Sequence, residues 1–361
     1  MIKPSAFSRR QFLQWSTLIG AGAALAACQT EPTPEAPVLN LLNWPEYLSP
    51  DTIDGFQTET GIFINETIFE SNEELIELLT DSPLGTFDLI VPTDHAVDKL
   101  IREQALLQLD RAQLTNLNNL DPVFLNDRAY DPGSQFSITK SWGTTGLMYR
   151  ADIIPTPPAS WAEFWALVPQ HSGRVIMVEE RDEVLGIALR LLGYSANSVE
   201  VAQINEAAQK LMEIRPHIGL SSDYFTMFRD AVVVMGLGWN GDAFLIRTEY
   251  ETPVSFTIPR EGGILWEDDW CVPRNALHSR NAHRFINYVL RPEVAAAEAN
   301  YTGYGTVVPA ALPLIDEAIQ NDAGLNPSLE VRQRLERIAL IEPGSEADLA
   351  RQAAWERFVA G

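Results

Sequence analysis

The chain has 361 residues, 46% of them hydrophobic, and carries 49 Asp and Glu against 26 Lys and Arg, for a formal charge of −23. That length and apolar content fit a folded protein with room for two domains and exclude a chain too polar to build a core. The acidic excess disfavours nucleic acid and anionic lipid as partners. It suits encounter with cations, or serves solubility alone.

The first 27 residues read as an export signal. Ser8-Arg9-Arg10-Gln11-Phe12-Leu13 precedes an apolar stretch over 13–27 that is too short to span a bilayer. The arginine pair resembles a twin-arginine signal, and Leu25-Ala26-Ala27-Cys28 resembles a lipobox, in which Cys28 would be acylated and become the mature N-terminus. The rival reading is simple cleavage near Ala27, leaving Cys28 incidental. Under the lipobox reading the protein is expected in the periplasm or on the outer face of the cytoplasmic membrane, touching the bilayer only through its lipid anchor. Residues 28–37, with three prolines, form a tether rather than a core element. Loss of Lys3, Arg9 and Arg10 with the leader takes the charge to −26. Cys271 is then the only thiol besides Cys28, so no disulfide is available to a lipidated chain.

From residue 38 the pattern alternates. A strand over 38–42 is followed by a helix over 51–60, opened by Ser49-Pro50 and stopped by Gly61. A strand over 63–69 leads to a helix over 71–79, with Ser71 and Glu74 spaced as a capping box. A strand over 86–91 and a helix over 96–104 complete this unit. The second unit repeats the grammar with a strand over 145–149, a helix capped by Ser160 and Glu163, a strand over 174–178, and helices over 182–193 and 200–213. It continues with a strand over 232–237, a short helix over 245–250, strands over 254–258 and 263–272, and helices again from about 282. Such βαβ punctuation predicts an α/β protein with a mostly parallel sheet in two lobes. No segment repeats at a fixed period.

Three distant stretches set a ring beside a carboxylate: Asn43-Trp44-Pro45-Glu46-Tyr47, Gly238-Trp239-Asn240-Gly241-Asp242 and Leu265-Trp266-Glu267-Asp268-Asp269-Trp270. An aromatic face attracts a cation and covers methylene groups, while a carboxylate accepts charge-assisted bonds from the same ammonium. The pattern suits an amine on an apolar stem. Thr93, Glu180, Glu183 and Trp239 lie just past predicted strands, where open α/β sheets bind their ligands. Each has a plainer reading. Trp44, Trp239 and Trp266 could be packing residues, and Glu180 and Glu183 could be acids favoured by a helix start. Trp142, Trp161, Trp165 and Trp270 read as core.

These stretches, together with Glu59-Thr60-Gly61-Ile62, Phe87-Asp88-Leu89-Ile90-Val91-Pro92, Ser141-Trp142-Gly143-Thr144-Thr145, Glu261-Gly262-Gly263-Ile264 and Leu290-Arg291-Pro292, resemble the spermidine/putrescine-binding proteins of bacterial polyamine ABC transporters in order and spacing over nearly the whole mature length. The resemblance implies a two-lobed, type II periplasmic-binding-protein fold with discontinuous lobes joined by hinge strands. One lobe would take 38–141 plus 267–312, the other 144–265 plus 313–361. It also implies a monomer, without cofactor or metal, that closes on a polyamine and presents it to a membrane permease. Carried over by position, the ligand-contacting set is Trp44, Glu46, Tyr47, Thr93, His95, Glu180, Glu183, Trp239, Trp266, Asp268 and Tyr304. Pro45, His95 and Glu180 depart from the family's Ser or Thr, Tyr and Asp at these places. A charged imidazole would repel an ammonium, so His95 is expected neutral if it lines the site. Four acids, Glu46, Glu180, Glu183 and Asp268, match the three charges of spermidine better than the two of putrescine.

Alternatives remain at this point. A polyamine sensor subunit docking on a membrane signalling protein would carry the same site. A carbohydrate-active enzyme could use paired carboxylates, although no nucleophile elbow, phosphate-binding glycine loop or metal-ligand spacing is present. An iron-binding relative of the fold would need Tyr and His ligands more than tryptophans.

Overall fold

The structure is a computed structural model and describes residues 35–126 and 128–361. The leader, Cys28 and most of the tether lie outside the described residues. Among the described residues, nine strands form one sheet: β1 (Val38–Asn43), β2 (Phe63–Ile68), β3 (Leu89–Ile90), β4 (Ser137–Arg150), β5 (Val175–Met177), β6 (Ile218–Leu220), β7 (Met235–Trp239), β8 (Val254–Thr257) and β9 (Ile264–Cys271). The order is β2-β1-β3-β9-β4-β7-β5-β6, with β8 also paired to β4.

The two ends of the sheet are parallel, with β1 between β2 and β3 and with β5 between β6 and β7. The middle is antiparallel, because β9 pairs with β3 and β4, and β4 with β7 and β8. The expected mostly parallel sheet is therefore a mixed one. The chain crosses the molecule outward on β4 and back on β9, and strands run in opposite senses pair antiparallel.

Two hydrophobic cores flank this crossing. The first gathers Leu39, Leu41, Phe56, Leu89, Val97, Trp270, Phe285 and Tyr304, and the second Leu147, Trp161, Ile176, Leu189, Leu211, Leu237, Ile264 and Phe358. Separate cores joined by long strands make the fold the two-lobed α/β type. Ile315, Ile319 and Leu325 belong to the first core, beyond the switch at 312 that the sequence suggested.

Local signals explain the elements and their shifts. Helix Pro50–Thr60 begins at its proline and closes on Gly61, but Ser49 makes no side-chain cap. Its backbone N–H instead donates to Glu298 Oε1 at 3.0 Å. Ser71 and Ser160 do cap, accepting from the N–H of Glu74 and Glu163. The returning Glu74 and Glu163 carboxylates take the N–H of Glu70 and Ala159, one residue before the cap. Strand β3 is shorter than expected because Thr86 turns back onto the Pro83 carbonyl. Strand β7 starts three residues late because Val232 and Val233 close the helix Tyr224–Arg229 by donating to the Met227 carbonyl. That helix and β6 were not foreseen, and helix Asn240–Glu249 starts five residues earlier than expected.

Candidate functional site

All eleven residues named from the sequence line one cavity of about 300 Å³, the small end of the range for small-molecule sites. The strand ends converge as the fold rule requires. Thr93 follows β3, Glu180 and Glu183 follow β5 at the start of helix Arg181–Leu191, and Trp239 ends β7. Trp266 and Asp268 lie on β9 between the two cores, where the period-two alternation sends both to the same face.

The rings form a connected wall. Trp44 meets Phe69 at 4.4 Å and Trp239 at 6.0 Å, Trp239 meets Trp266 at 6.4 Å, Trp266 meets Tyr304 at 5.0 Å, and Tyr304 meets Tyr47 at 5.4 Å between centroids. All but the first are edge to face, which suits the ring quadrupoles and holds each plane in place. Two glycines make room. A Cβ at Gly143 would lie 2.3 Å from Trp266, and one at Gly241 2.4 Å from Tyr304. Trp142, Trp161, Trp165 and Trp270 are buried outside this cavity, as core.

The carboxylates are individually positioned by neutral donors. Asp268 accepts from Tyr47 Oη at 2.7 Å and from Thr93 Oγ1 at 2.8 Å, and Asn72 fixes Thr93 through bonds of 3.0 and 3.1 Å. Glu183 Oε2 accepts from Thr145 Oγ1 at 2.9 Å and from Trp239 Nε1 at 3.2 Å. Trp44 donates its indole N–H to the Val91 carbonyl at 2.8 Å. Glu46 stands at the exposed rim in a left-handed backbone conformation, φ 49°, and accepts from Tyr301 Oη at 2.8 Å. A non-glycine residue held there costs on the order of 1 kcal/mol, so the turn after Pro45 is shaped by its surroundings rather than by propensity.

Burial is the main force on these acids. It pushes Glu183 up to about 7 and Asp268 to about 6, with their hydroxyl and indole donors pulling back. Glu180 is raised well above the usual range by burial, then by Glu73 and Glu183 nearby. Carboxyls raised chiefly by burial give a cavity poised to take up positive charge. His95 does not follow expectation. Burial works against its charge, but Asp94, whose Oδ1 is 3.5 Å from Nδ1, together with Glu180 and Asp182 outweighs it and pushes the imidazole to about 9. It lines the cavity with Asp94 favouring its charged form, against the neutral ring expected.

Sequence reasoning missed Asp242, Tyr224 and Asn72 among the cavity residues. Asp242 accepts from Tyr224 and, at 2.9 Å, from Tyr304, and burial raises it to about 6. Its signal was present in Trp239-Asn240-Gly241-Asp242. With the helix starting at Asn240, Asp242 falls in the first turn beside Trp239. Among the described residues Arg229 is the only Lys or Arg in the lining, and Asp230 pairs with it at 2.8 Å.

A two-core fold closed around a cavity of this kind defines an extracellular solute-binding protein. Residues 51–327 match the sequence profile of the bacterial extracellular solute-binding protein family, and the chain belongs to that family. It is similar to the spermidine/putrescine-binding periplasmic protein of Escherichia coli (strain K12), 35% identical over 321 residues, which covers 88% of this chain and 91% of the relative. The putrescine-binding periplasmic protein PotF of the same organism is 30% identical, covering 96% of this chain and 98% of the relative. Among solved structures, a Listeria monocytogenes protein described as a spermidine/putrescine ABC transporter superposes with a TM-score of 0.81 at 29% identity, covering 90% of this chain and 99% of that one.

Proposed function

We propose that the chain is an extracytoplasmic polyamine-binding protein that delivers spermidine, or putrescine or spermine, to an ABC permease, without catalysis. The observation that carries this is the single cavity in which indole and phenol faces alternate with the carboxylates of Glu180, Glu183, Asp242 and Asp268. The names of the relatives support the same reading and offer no support for a sensor or a carbohydrate-active enzyme. Trp44, Glu46, Tyr47, Thr93, His95, Glu180, Glu183, Trp239, Trp266, Asp268 and Tyr304, with Asp242 added, are the proposed contacts.

A desolvated cation–π contact contributes about 2 kcal/mol and a charge-assisted hydrogen bond about 1.5–3 kcal/mol. Two of the first and three of the second exceed the roughly 8 kcal/mol of a micromolar complex, leaving a margin for the ordering costs of binding. Calorimetric titration of the purified mature chain with spermidine, putrescine and spermine tests the reading. Spermidine is expected to bind at low micromolar or tighter. Absence of heat and of protection with all three amines would overturn it.

The pH dependence follows from the raised carboxyls. In the empty cavity Glu183, Asp268 and Asp242 hold protons below about 6 to 7, whereas an ammonium needs the anions. Affinity therefore falls as pH drops through 7 and 6. The folded-state values lie above unfolded ones near 4, so the empty protein loses stability as pH rises over that window, and the bound amine restores it. The rise in melting temperature caused by spermidine should be larger at pH 8 than at pH 5.5. An equal rise at both would show that these acids do not meet the ligand's charge.

The lobes are taken to part near 141–144 and 265–267, with the stretch to about 325 kept with the first lobe. Lipid attachment at Cys28 and a monomeric state complete the proposal. Mass spectrometry of membrane-extracted protein is expected to find a lipid-modified Cys28 as the N-terminal residue, and an unmodified Cys28 would remove the anchor.

A further inference from the structure

A buried lysine stands just behind the cavity without lining it. Strand β4 pairs Thr139 with Asp269 and Ser141 with Asp268, so Lys140 is the extra residue of a β-bulge. Bulges re-aim side chains at the places where a sheet carries a site. Here the bulge does two things. It brings Ser141 Oγ onto Tyr47 Oη, and it sends Lys140 Nζ to the face of the Tyr47 ring, 3.7 Å from the centroid. The lysine side chain is only 4% exposed, with Glu298 Oε2 at 3.7 Å and the Trp270 ring at 5.5 Å. Glu298 is in turn held by the backbone N–H of Ser49.

We propose that Lys140 is a positioning residue of this site: an internal cation that braces the Tyr47 ring from behind, holds its hydroxyl on Asp268 and keeps that carboxylate ionised in the empty cavity. The inference rests on the proposed polyamine reading for what the site binds, but the electrostatic role can be read without ligand. A cation at a ring face withdraws density from the phenol, which makes its O–H the stronger donor toward Asp268. It also lowers the cost of a charged aspartate surrounded by apolar rings.

The surrounding charges agree with the assignment. Burial lowers the Lys140 pKa below its ordinary value, and Glu298, Asp268 and Glu66 pull back towards the charged form without reversing that direction. Asp268 is faced by Tyr47, Thr93, Lys140 and Asp94, with Glu183 across the cavity, and Lys140 is the cation among them. A simple packing role would leave these couplings without consequence for binding.

The test is a carboxyl NMR titration of the ligand-free protein, with Asp268→Asn identifying the Asp268 signal. In Lys140→Met the Asp268 midpoint is expected to move up by about one pH unit, while Lys140→Arg keeps the wild-type value. If the Met variant does not fold, Lys140→Gln carries the same readout. An unmoved midpoint overturns the proposal. Spermidine titrations give a second readout. Lys140→Met should bind about fivefold more weakly than wild type at pH 6, yet at least as tightly at pH 8, where Asp268 is ionised in both and a repelling cation has gone. A uniform loss at both pH values would mark Lys140 as packing alone and also overturn the proposal. Wild-type protein that binds no polyamine would sink the proposed function, while the titration would still decide the role of Lys140.

Discussion

Replacing Arg128 by Met is expected to lower the unfolding free energy by about 3–5 kcal/mol, the cost of stranding buried charge. Arg128 and Asp269 have side chains 1% and 0% exposed and share a direct ion pair, and Tyr130 Oη adds a bond to Asp269 at 3.0 Å. Glu267, 1% exposed, lies 3.6 Å from the Arg128 Nε and is also held by Arg337 from the far end of the chain. Burial opposes the Arg128 charge, but Asp269, Tyr130 and Glu267 outweigh it and hold the guanidinium protonated. Without that cation, Asp269 loses its ion-pair partner. Burial already pushes it up to about 7, and loss of Arg128 removes the main pull in the other direction. Its folded-state pKa would rise further above the unfolded value, so the variant's deficit should grow as pH rises and be smaller at pH 5 than at pH 8. Urea unfolding at the two pH values measures both statements. A deficit under about 1 kcal/mol, typical of a surface ion pair, would mean that the network is solvated in solution.

Asp268→Asn is expected to weaken spermidine binding by about 1.5–3 kcal/mol, the contribution of a charged hydrogen-bond partner. The substitution keeps shape and volume, so the ring wall is retained. An amide, however, presents one acceptor where the carboxylate presents two, and Tyr47 and Thr93 both donate to Asp268. One of these hydroxyls must turn or lose its partner, and the site loses an anion. Calorimetry gives the affinity change, and the acidic limb of the binding profile gives a separate check, because an asparagine does not titrate near pH 6. Unchanged affinity would take Asp268 out of the ligand's reach and leave it a structural acceptor for Tyr47.

Both predictions turn on strand β9, and they show how far the sequence could be read there. The run Trp266-Glu267-Asp268-Asp269 reads as one cluster of rings and acids. Alternation along the strand divides it. Trp266 and Asp268 face the cavity, while Glu267 and Asp269 face Arg128 and Arg337. The strand itself was legible, but what each face meets depends on residues 128 and 337, which no local pattern connects to it. Asp242 shows the converse. Its place beside Trp239 was visible, but its role depended on a helix that starts directly at the strand end, five residues before the sequence placed it.

The amino-acid sequence by itself determined the alternation of strands and helices, the helix stops and caps, and the rings and acids that would gather, because these follow from spacing, propensity and charge within a few residues. Only the tertiary structure decided the antiparallel middle of the sheet, the upward push on the His95 imidazole and the place of Lys140. Each depends on groups far apart in the chain: β4 against β9, Asp94 with Glu180 and Asp182 around His95, and Tyr47 and Glu298 around the lysine. Burial makes such meetings count, since charges removed from water act on one another strongly over distances at which solvent would otherwise screen them.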